Sequence, residues 1–527
     1  MMYRLLLPVC LIALAAVGRA QHTEHRGVCG TEGADLDRVR ANIAYAKQHR
    51  LAARSAEVMY VPVHYVLIGD SESEEVAKTN NVLDLLTSVN ADFEAHGIQF
   101  FLKARGGATQ PWDVLIDDEL NNDPRGNRVR LRDERVDDAI TVFVPENASP
   151  VGEESLGVTL GYYDSQYDYL VFRRAEVAKD ASTASHEFGH YFGLPHTFFG
   201  WDLTSWNGLT TTGDEAISSP VDTAIAPFYG ARVELVTRGP DANCAEAGDL
   251  FCDTPADYNL GFSTPEGQCE YRGSVADANG ETLEPDAHNF MGYFQDCNPY
   301  VFSDEQAAAM LADLNSGDRE FLLGQQPIST TPITEEIVYL QPLPEDTVST
   351  FGDMLTIEWE PVSGALYYAV EVDFRRDFRR ATEVILPAEQ TSYEALNLSS
   401  DRRYYYRVRA FSDASFGQRG ETMTITTGER LSGLVQSAPE EASRLTVVPN
   451  PAPAGTGFGI RIEGQPLGEA IVSVQDLTGR RLSRERIDLI APGSLVSLPS
   501  TNSLTAGTYV LTVSTPTGVT SRKIVVE

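Results

Sequence analysis

At 527 residues the chain is long enough for three or four domains, and its 42% hydrophobic and 22% charged residues exclude disorder throughout. Against 41 basic residues stand 76 acidic ones, a net charge of −35, so nucleic acid and anionic membranes are poor partners. The acidic excess reads first as a solvated surface, with calcium-binding carboxylates as the sharper alternative.

Taken in chain order, residues 1–20 (MMYRLLLPVCLIALAAVGRA) have a basic start at Arg4, an apolar run Leu5–Val17 and small residues at Gly18 and Ala20. This is the pattern of a signal peptide cleaved after Ala20. No later run reaches the ~18–20 apolar residues of a membrane helix, so no transmembrane segment is expected after signal removal. Residues 21–56 are polar, with a helix over Leu36–His49 and an arginine-containing end, RLAARSAE. The strand VPVHYVLI and a helix over Val76–Phe93 come next, then strands at Ile98–Leu102, Ala139–Val144 and Tyr169–Phe172. The region 57–323 is thus mixed α/β. Residues 324–336 form a linker by composition, and 337–428 alternate as a β-sandwich, with Trp359 early and the tyrosine-rich Tyr404–Val408 late. A second linker, 429–445, leads to a small all-β unit, 446–527, with turns at Asn450-Pro451 and Thr478-Gly479.

The stretch HEFGHYFGLPH carries the chemistry. His186 and His190 are four apart and share one helical face. Gly193 permits the turn that returns His196 as a third ligand. Three neutral histidines suit a catalytic zinc ion, which keeps one position for water and lowers that water's pKa to about 7. Glu187 is placed as general base and then general acid at a peptide bond. HExxHxxGxxH is a metzincin signature. Metzincins also need a methionine turn below the metal, which HNFMGYFQDC supplies as Met291, with Tyr293 two residues on as a candidate stabiliser of the oxyanion. His64, His96 and His288 read as structural or surface residues.

Once the predicted signal is removed, five cysteines remain: Cys29 alone, and Cys244, Cys252, Cys269 and Cys297 in a cluster. Export favours two disulfides within the cluster and leaves Cys29 over.

HEFGHYFGLPHTF, GDLFCDTPAD, HNFMGYFQDC and FSDEQAAAM, in this order, resemble the pappalysin family of metzincin endopeptidases over residues 57–323. The resemblance implies an α/β catalytic domain, a twisted mixed sheet plus the active-site helix, and structural calcium held by Asp249, Asp253 and Thr254. An acidic surface loop is the competing reading of those three residues. It also implies disulfides stapling this loop to the methionine turn, guessed as Cys244–Cys269 and Cys252–Cys297. Some members cut at basic residues and carry an aspartate just after the last cysteine; this chain has Asn298 there, which puts basic specificity in doubt.

A thiolate is a good zinc ligand, and Cys29-Gly30-Thr31 resembles the cysteine switch of pappalysin-like enzymes. Residues 21–56 are then a propeptide, blocked at the metal by Cys29 and released by cleavage near Arg54. A rearranged disulfide and an inert thiol are the other readings of Cys29. VVPNPA, VQDLTGRRL and AGTYVLTV resemble the C-terminal sorting domain of type IX secretion cargo, and 337–428 resembles a fibronectin type III domain. The expected protein is therefore multidomain: a metzincin domain followed by two all-β sandwich modules. It would act as a secreted zinc endopeptidase on protein or peptide substrates, with the type IX machinery as partner. A surface adhesin on an inactive protease fold, and a zinc hydrolase with a non-peptide substrate, are the rivals.

Overall fold

The computed structural model describes residues 27–527 except 32, 54–56, 74, 107, 109, 150–157, 178–181, 203, 207–208, 211–218, 222, 343–353, 397, 429–443, 464–467, 477–480, 490–493 and 516–517. The expected signal sequence, the cleavage position at Arg54 and nearly all of the second linker lie outside these residues. The chain is multidomain, with a mixed α/β region and several sheets packed as β-sandwiches, and it divides into two compact units, 1–328 and 329–527.

In the first unit, strands β1 (Gly27–Cys29), β2 (Met59–Gly69), β3 (Ile98–Leu102), β4 (Asp113–Ile116), β5 (Ile140–Val144), β6 (Val158–Asp164) and β7 (Tyr169–Phe172) form one sheet. Its order is β1-β6-β7-β5-β2-β3, with β4 also paired to β2. Only β6 and β7 pair antiparallel. β2 is buried from Val61 to Ile68, as its near-continuous apolar run requires of a central parallel strand.

Helix α1 (Leu36–His49) starts at Asp35, whose carboxylate accepts from the N–H groups of Asp37 and Arg38. Helix α2 (Thr79–Glu94) begins three residues later than the periodicity suggests, because Lys78 is still extended. Its buried Val82, Leu86, Val89 and Phe93 face the sheet. Short helices α3 (Asp118–Asn122), α4 (Arg128–Asp133) and α5 (Arg174–Val177) precede α6 (Ser182–Tyr191), which carries His186, Glu187 and His190. Phe188 of α6 packs on Phe100, 4.5 Å between ring centroids, and on Phe93 at 6.3 Å. These contacts fix the helix against α2 and β3, so its other face holds a set orientation. After two-residue strands β8 and β9 (204–205 and 209–210) come α7 (Leu260–Ser263) and α8 (Asp304–Leu314). α8 opens with a reciprocal capping box between Ser303 and Gln306.

The disulfides are Cys244–Cys252 and Cys269–Cys297. This corrects the alternating guess. A 3₁₀ turn at Cys244–Glu246 and the following loop bring Cys252 back to Cys244, with Cα atoms 5.2 Å apart. Each pair therefore closes a local loop, and only Cys269–Cys297 reaches the methionine turn.

The second unit holds two cores. Strands β10 (Tyr339–Gln341), β11 (Met354–Trp359), β12 (Tyr367–Asp373), β13 (Thr382–Pro387), β14 (Ser392–Leu396), β15 (Arg403–Phe411) and β16 (Met423–Thr426) form sheets β10-β11-β14 and β13-β12-β15-β16, which enclose Trp359, Tyr368 and Tyr406. Ile333, placed by composition in the linker, joins this core, so the linker ends earlier than expected. Strands β17 (Arg444–Val448), β18 (Phe458–Glu463), β19 (Gly468–Asp476), β20 (Arg481–Leu489), β21 (Leu495–Leu498), β22 (Gly507–Thr515) and β23 (Gly518–Val526) form sheets β17-β18-β21 and β20-β19-β22-β23, which enclose Phe458, Val474 and Leu511. The two sandwiches touch where Arg484 and Arg486 of β20 (Arg481–Leu489) meet Met354 and Thr356 of β11 (Met354–Trp359).

Candidate metal centre and active site

Gly193 adopts φ +86°, the left-handed conformation that turns the chain after α6. His196 then returns toward His186 and His190. The Nε2 atom of His190 lies 3.1 Å from the Nε2 atoms of both His186 and His196. Each Nδ1 faces an acceptor: the Phe290 carbonyl at 2.6 Å for His186, the Leu194 carbonyl at 2.7 Å for His190, and the Asp202 carboxylate at 2.9 Å for His196. These acceptors fix the proton on Nδ1 and leave a lone pair on each Nε2. Burial, reinforced by the neighbouring imidazoles, pushes His186 down to about 3 and His190 well below its usual range. Three lone pairs thus converge with no proton between them. Such a donor set fits a cation, and zinc–nitrogen bonds of 2.0–2.1 Å place neighbouring nitrogens about 3.3 Å apart. Asp202 is a member of this arrangement that the sequence reading missed; its spacing six residues after His196 was the available signal.

The Cys29 sulfur completes the cluster. The four ligand atoms of Cys29, His186, His190 and His196 lie within 4.8 Å of one another. Cys29 is free, as both disulfides use other residues, so the rearranged-disulfide reading is excluded here. Burial first, then the Glu187 charge, pushes the thiol up; a bound dication reverses that tendency.

Cys29 arrives on β1, which adds in parallel to the β6 edge and pairs Cys29 with Gly161. The Gly30 N–H donates to the Gly161 carbonyl at 2.8 Å, and Arg125 donates to the Gly30 carbonyl at 2.5 Å. Gly30 is needed: an added Cβ would lie 2.8 Å from Arg125 and from Thr159. Thr31 is a second contact that the sequence reading missed. Its hydroxyl donates to Glu187 Oε2 at 2.9 Å and accepts from the Tyr163 N–H at 2.8 Å. The other Glu187 oxygen, Oε1, is buried with no hydrogen-bond partner among the described residues. Burial raises the Glu187 carboxyl to about 7 against the lowering effect of its hydrogen bonds. The Tyr293 hydroxyl accepts from the Cys29 N–H at 3.1 Å, and burial holds its phenol well above its usual range. The three residues Cys29–Thr31 therefore touch the histidine cluster, Glu187 and Tyr293 together.

Met291 lies beneath the centre, fully buried; a Cβ on Gly189 of α6 would come 2.6 Å from its sulfur. The same turn supplies the Phe290 carbonyl that orients His186.

Helix α1 is held beside the site. Arg38 donates to Asp313 through Nε at 2.7 Å and Nη2 at 2.6 Å, and to the Tyr191 carbonyl at 2.9 Å. Its Nε would lie 3.2 Å from a Cβ on Gly193. Asp313 also meets Arg319, which pairs with Asp168 and lies over the Tyr191 ring. Arg38→Ala is expected to weaken α1 docking by about 2 kcal/mol, less than a full buried pair because Arg319 still faces Asp313. Hydrogen exchange checks this: α1 amides should exchange roughly 30-fold faster while β2 amides hold their rate.

Of the proposed calcium residues, Asp249 and Thr254 stay together. The Thr254 hydroxyl lies 3.1 and 3.0 Å from the two Asp249 oxygens. Asp253 points elsewhere: exposed, it accepts from the Ser303 hydroxyl and the Glu305 N–H at the start of α8. That is a correction to the expected set. Glu234, unforeseen in the sequence, is a buried carboxylate on which the Asp249 charge acts. It is 2% exposed, one oxygen meets Arg238 at 2.8 Å, and the other, Oε2, has no hydrogen-bond partner among the described residues. Burial first, then the Asp249 charge, pushes Glu234 well above the usual carboxylate range, and burial first, with the Asp253 charge adding to it, does the same to Asp249. Asn298 is exposed beside Cys297 and makes no hydrogen bond to the histidine cluster. His64, His96 and His288 bond the carbonyls of Lys103, Ala53 and Cys297.

Among solved structures, a promirolysin mutant of Tannerella forsythia is 14% identical, covers 55% of this chain and 91% of its own, and has a TM-score of 0.33. The chicken CNTN1 FN1–FN3 domains are 14% identical over 37% of this chain and 66% of theirs, with a TM-score of 0.17. The fn3 domain of human contactin 1 is 17% identical over 22% of this chain and 92% of its own, also at 0.17. With TM-scores this low, the fold rests on the strand order above. No curated protein matches the chain. No helix among the described residues is long and apolar enough to cross a membrane. Residues 446–527 match the family described as the secretion system C-terminal sorting domain. The chain therefore carries a type IX sorting domain and is exported, for secretion or for the cell surface.

Proposed function

We propose that this chain is the latent precursor of a zinc-dependent metalloendopeptidase of the pappalysin type, with protein or peptide substrates. The observation that carries the reading is the convergence of three Nε2 lone pairs beside a buried carboxylate with one unpaired oxygen. His186, His190 and His196 would hold the zinc. When bound, it supplies Lewis acidity that activates water and polarises the scissile carbonyl. Glu187 takes the proton from the attacking water and delivers it to the departing amine nitrogen. Tyr293, kept protonated by burial, donates a hydrogen bond to the carbonyl oxygen as negative charge develops there. Asp202 holds the His196 ring in its ligating tautomer.

Residues 21–56 act as the propeptide. Cys29 blocks the metal, Thr31 masks Glu187, and the Cys29 backbone occupies Tyr293. Digestion of casein by the chain trimmed near Arg54, assayed beside the untrimmed chain, tests the assignment. Casein fragments from the trimmed chain alone support it; none from either, with zinc and calcium supplied, overturns it.

Glu234, Asp249 and Thr254 are the proposed calcium set, all hard oxygen donors. Both carboxyls keep their protons to higher pH in the fold than in the unfolded chain. The calcium-free fold thus binds more protons than the unfolded chain, and this contribution to stability is lost as pH rises above about 4–5. Bound calcium stabilises the charged forms and removes the loss. Calorimetry should show Tm curves with calcium and with EGTA that diverge from pH 5 to 8; superimposable curves would rule the calcium set out.

A further inference from the structure

In a chain of net charge −35, one end of the first sandwich is strongly basic. Between β12 (Tyr367–Asp373) and β13 (Thr382–Pro387) the sequence repeats a tetrapeptide in tandem, Asp373-Phe374-Arg375-Arg376 and Asp377-Phe378-Arg379-Arg380. Arg375, Arg376, Arg379 and Arg380 are all exposed, as are Arg402 and Arg403 at the start of β15 (Arg403–Phe411). Of these six, only Arg379 is ion-paired among the described residues, with Asp377 at 3.4 Å.

The array is rigid. The buried Asp373 carboxylate accepts from the N–H groups of Arg375 at 3.0 Å and Arg380 at 2.8 Å, closing the loop on itself. Phe378 is buried beneath it. The guanidinium of Arg402 lies 4.0 Å from the Phe374 ring centroid, and that of Arg407 lies 4.0 Å from the Phe378 centroid. Stacking of this kind covers a planar face and leaves the N–H edges turned outward. Little further ordering is needed on binding.

We propose that this arginine end binds an anionic polysaccharide, one carrying sulfate or carboxylate groups. Guanidinium forks match such groups with paired hydrogen bonds. Single-stranded nucleic acid fits less well, because it needs open aromatic faces for base stacking, and arginines cover the rings of Phe374 and Phe378. A protein partner fits less well too, because the patch has no apolar centre to bury. Export places the patch outside the cell, where such polysaccharides occur. The net charge of −35 opposes any polyanion at long range, so binding is expected to be short-range and steeply salt-dependent.

The test uses the full-length chain on immobilised heparin, a sulfated polysaccharide, loaded at about 50 mM salt and eluted with a salt gradient. Wild type is compared with the fourfold variant Arg375→Gln, Arg376→Gln, Arg379→Gln, Arg380→Gln. A control variant, Arg130→Gln with Arg132→Gln, removes equal-sign charge from α4. The proposal expects retention of wild type and control, and at least a tenfold loss of affinity in the fourfold variant with an unchanged thermal melt. It is overturned if wild type runs through, if the fourfold variant elutes with wild type, or if single-stranded DNA binds more tightly than heparin.

Discussion

Glu187→Gln in the trimmed chain is expected to keep zinc and to lower kcat/KM by about 10³-fold or more. The amide has the size and shape of the carboxylate, so α6 and the three histidines keep their positions. It cannot accept a proton, however, and that is the task proposed for the buried, half-unpaired oxygen pair. Burial raises the Glu187 carboxyl to about 7, and a cation beside it draws that value down. The cation thus favours the carboxylate, the form that accepts the proton from water. Zinc content by atomic absorption, read beside peptide cleavage, separates a lost base from a lost metal. Full zinc with activity near wild type would remove Glu187 from the mechanism.

The second large effect concerns latency. Cys29→Ala in the untrimmed chain should unmask activity, because the sulfur is the fourth member of the ligand cluster. Thr31→Val should unmask it further. The hydroxyl bridges Glu187 and the Tyr163 N–H, and a hydrogen bond to a charged partner contributes about 1.5–3 kcal/mol, or at least tenfold. The double variant should therefore be more active before trimming than either single variant. An independent readout is the thiol itself. Iodoacetamide should label Cys29 about tenfold faster in Thr31→Val than in wild type, as the strand opens more often. Equal labelling rates and unchanged latency in both variants would sink the switch.

Much of the site was legible because it rests on local spacing. HExxHxxGxxH brings three histidines together through one helix turn and one glycine, and both are read from sequence. Cys29, 157 residues before His186, stood out through its odd count among exported cysteines and the resemblance of Cys29-Gly30-Thr31 to a cysteine switch. Thr31 and Asp202 were missed because a hydroxyl or carboxylate gains its role from what it faces. Thr31 meets Glu187 only because β1 adds to the β6 edge. Glu234, proposed beside Asp249, went unread for the same reason, and Asp253 sits in the right stretch but faces α8. The disulfides show the limit most plainly: four cysteines in 54 residues allow three pairings, and only the path of the loop selects Cys244–Cys252. In 57–323, periodicity marked β2, α2, β3, β5 and β7, but not β4, the β6 edge that receives β1, or the short helices. The order β1-β6-β7-β5-β2-β3 was not readable, since pairing across the sheet leaves no local trace.

The most direct measurement is digestion of a mixed peptide library by the chain trimmed near Arg54, with fragments identified by mass spectrometry, in matched samples with and without a zinc-selective chelator. The account predicts internal peptide-bond cleavage that the chelator abolishes and added zinc restores. Cleavage that persists undiminished in the chelator, or none from the zinc- and calcium-loaded chain, would contradict it.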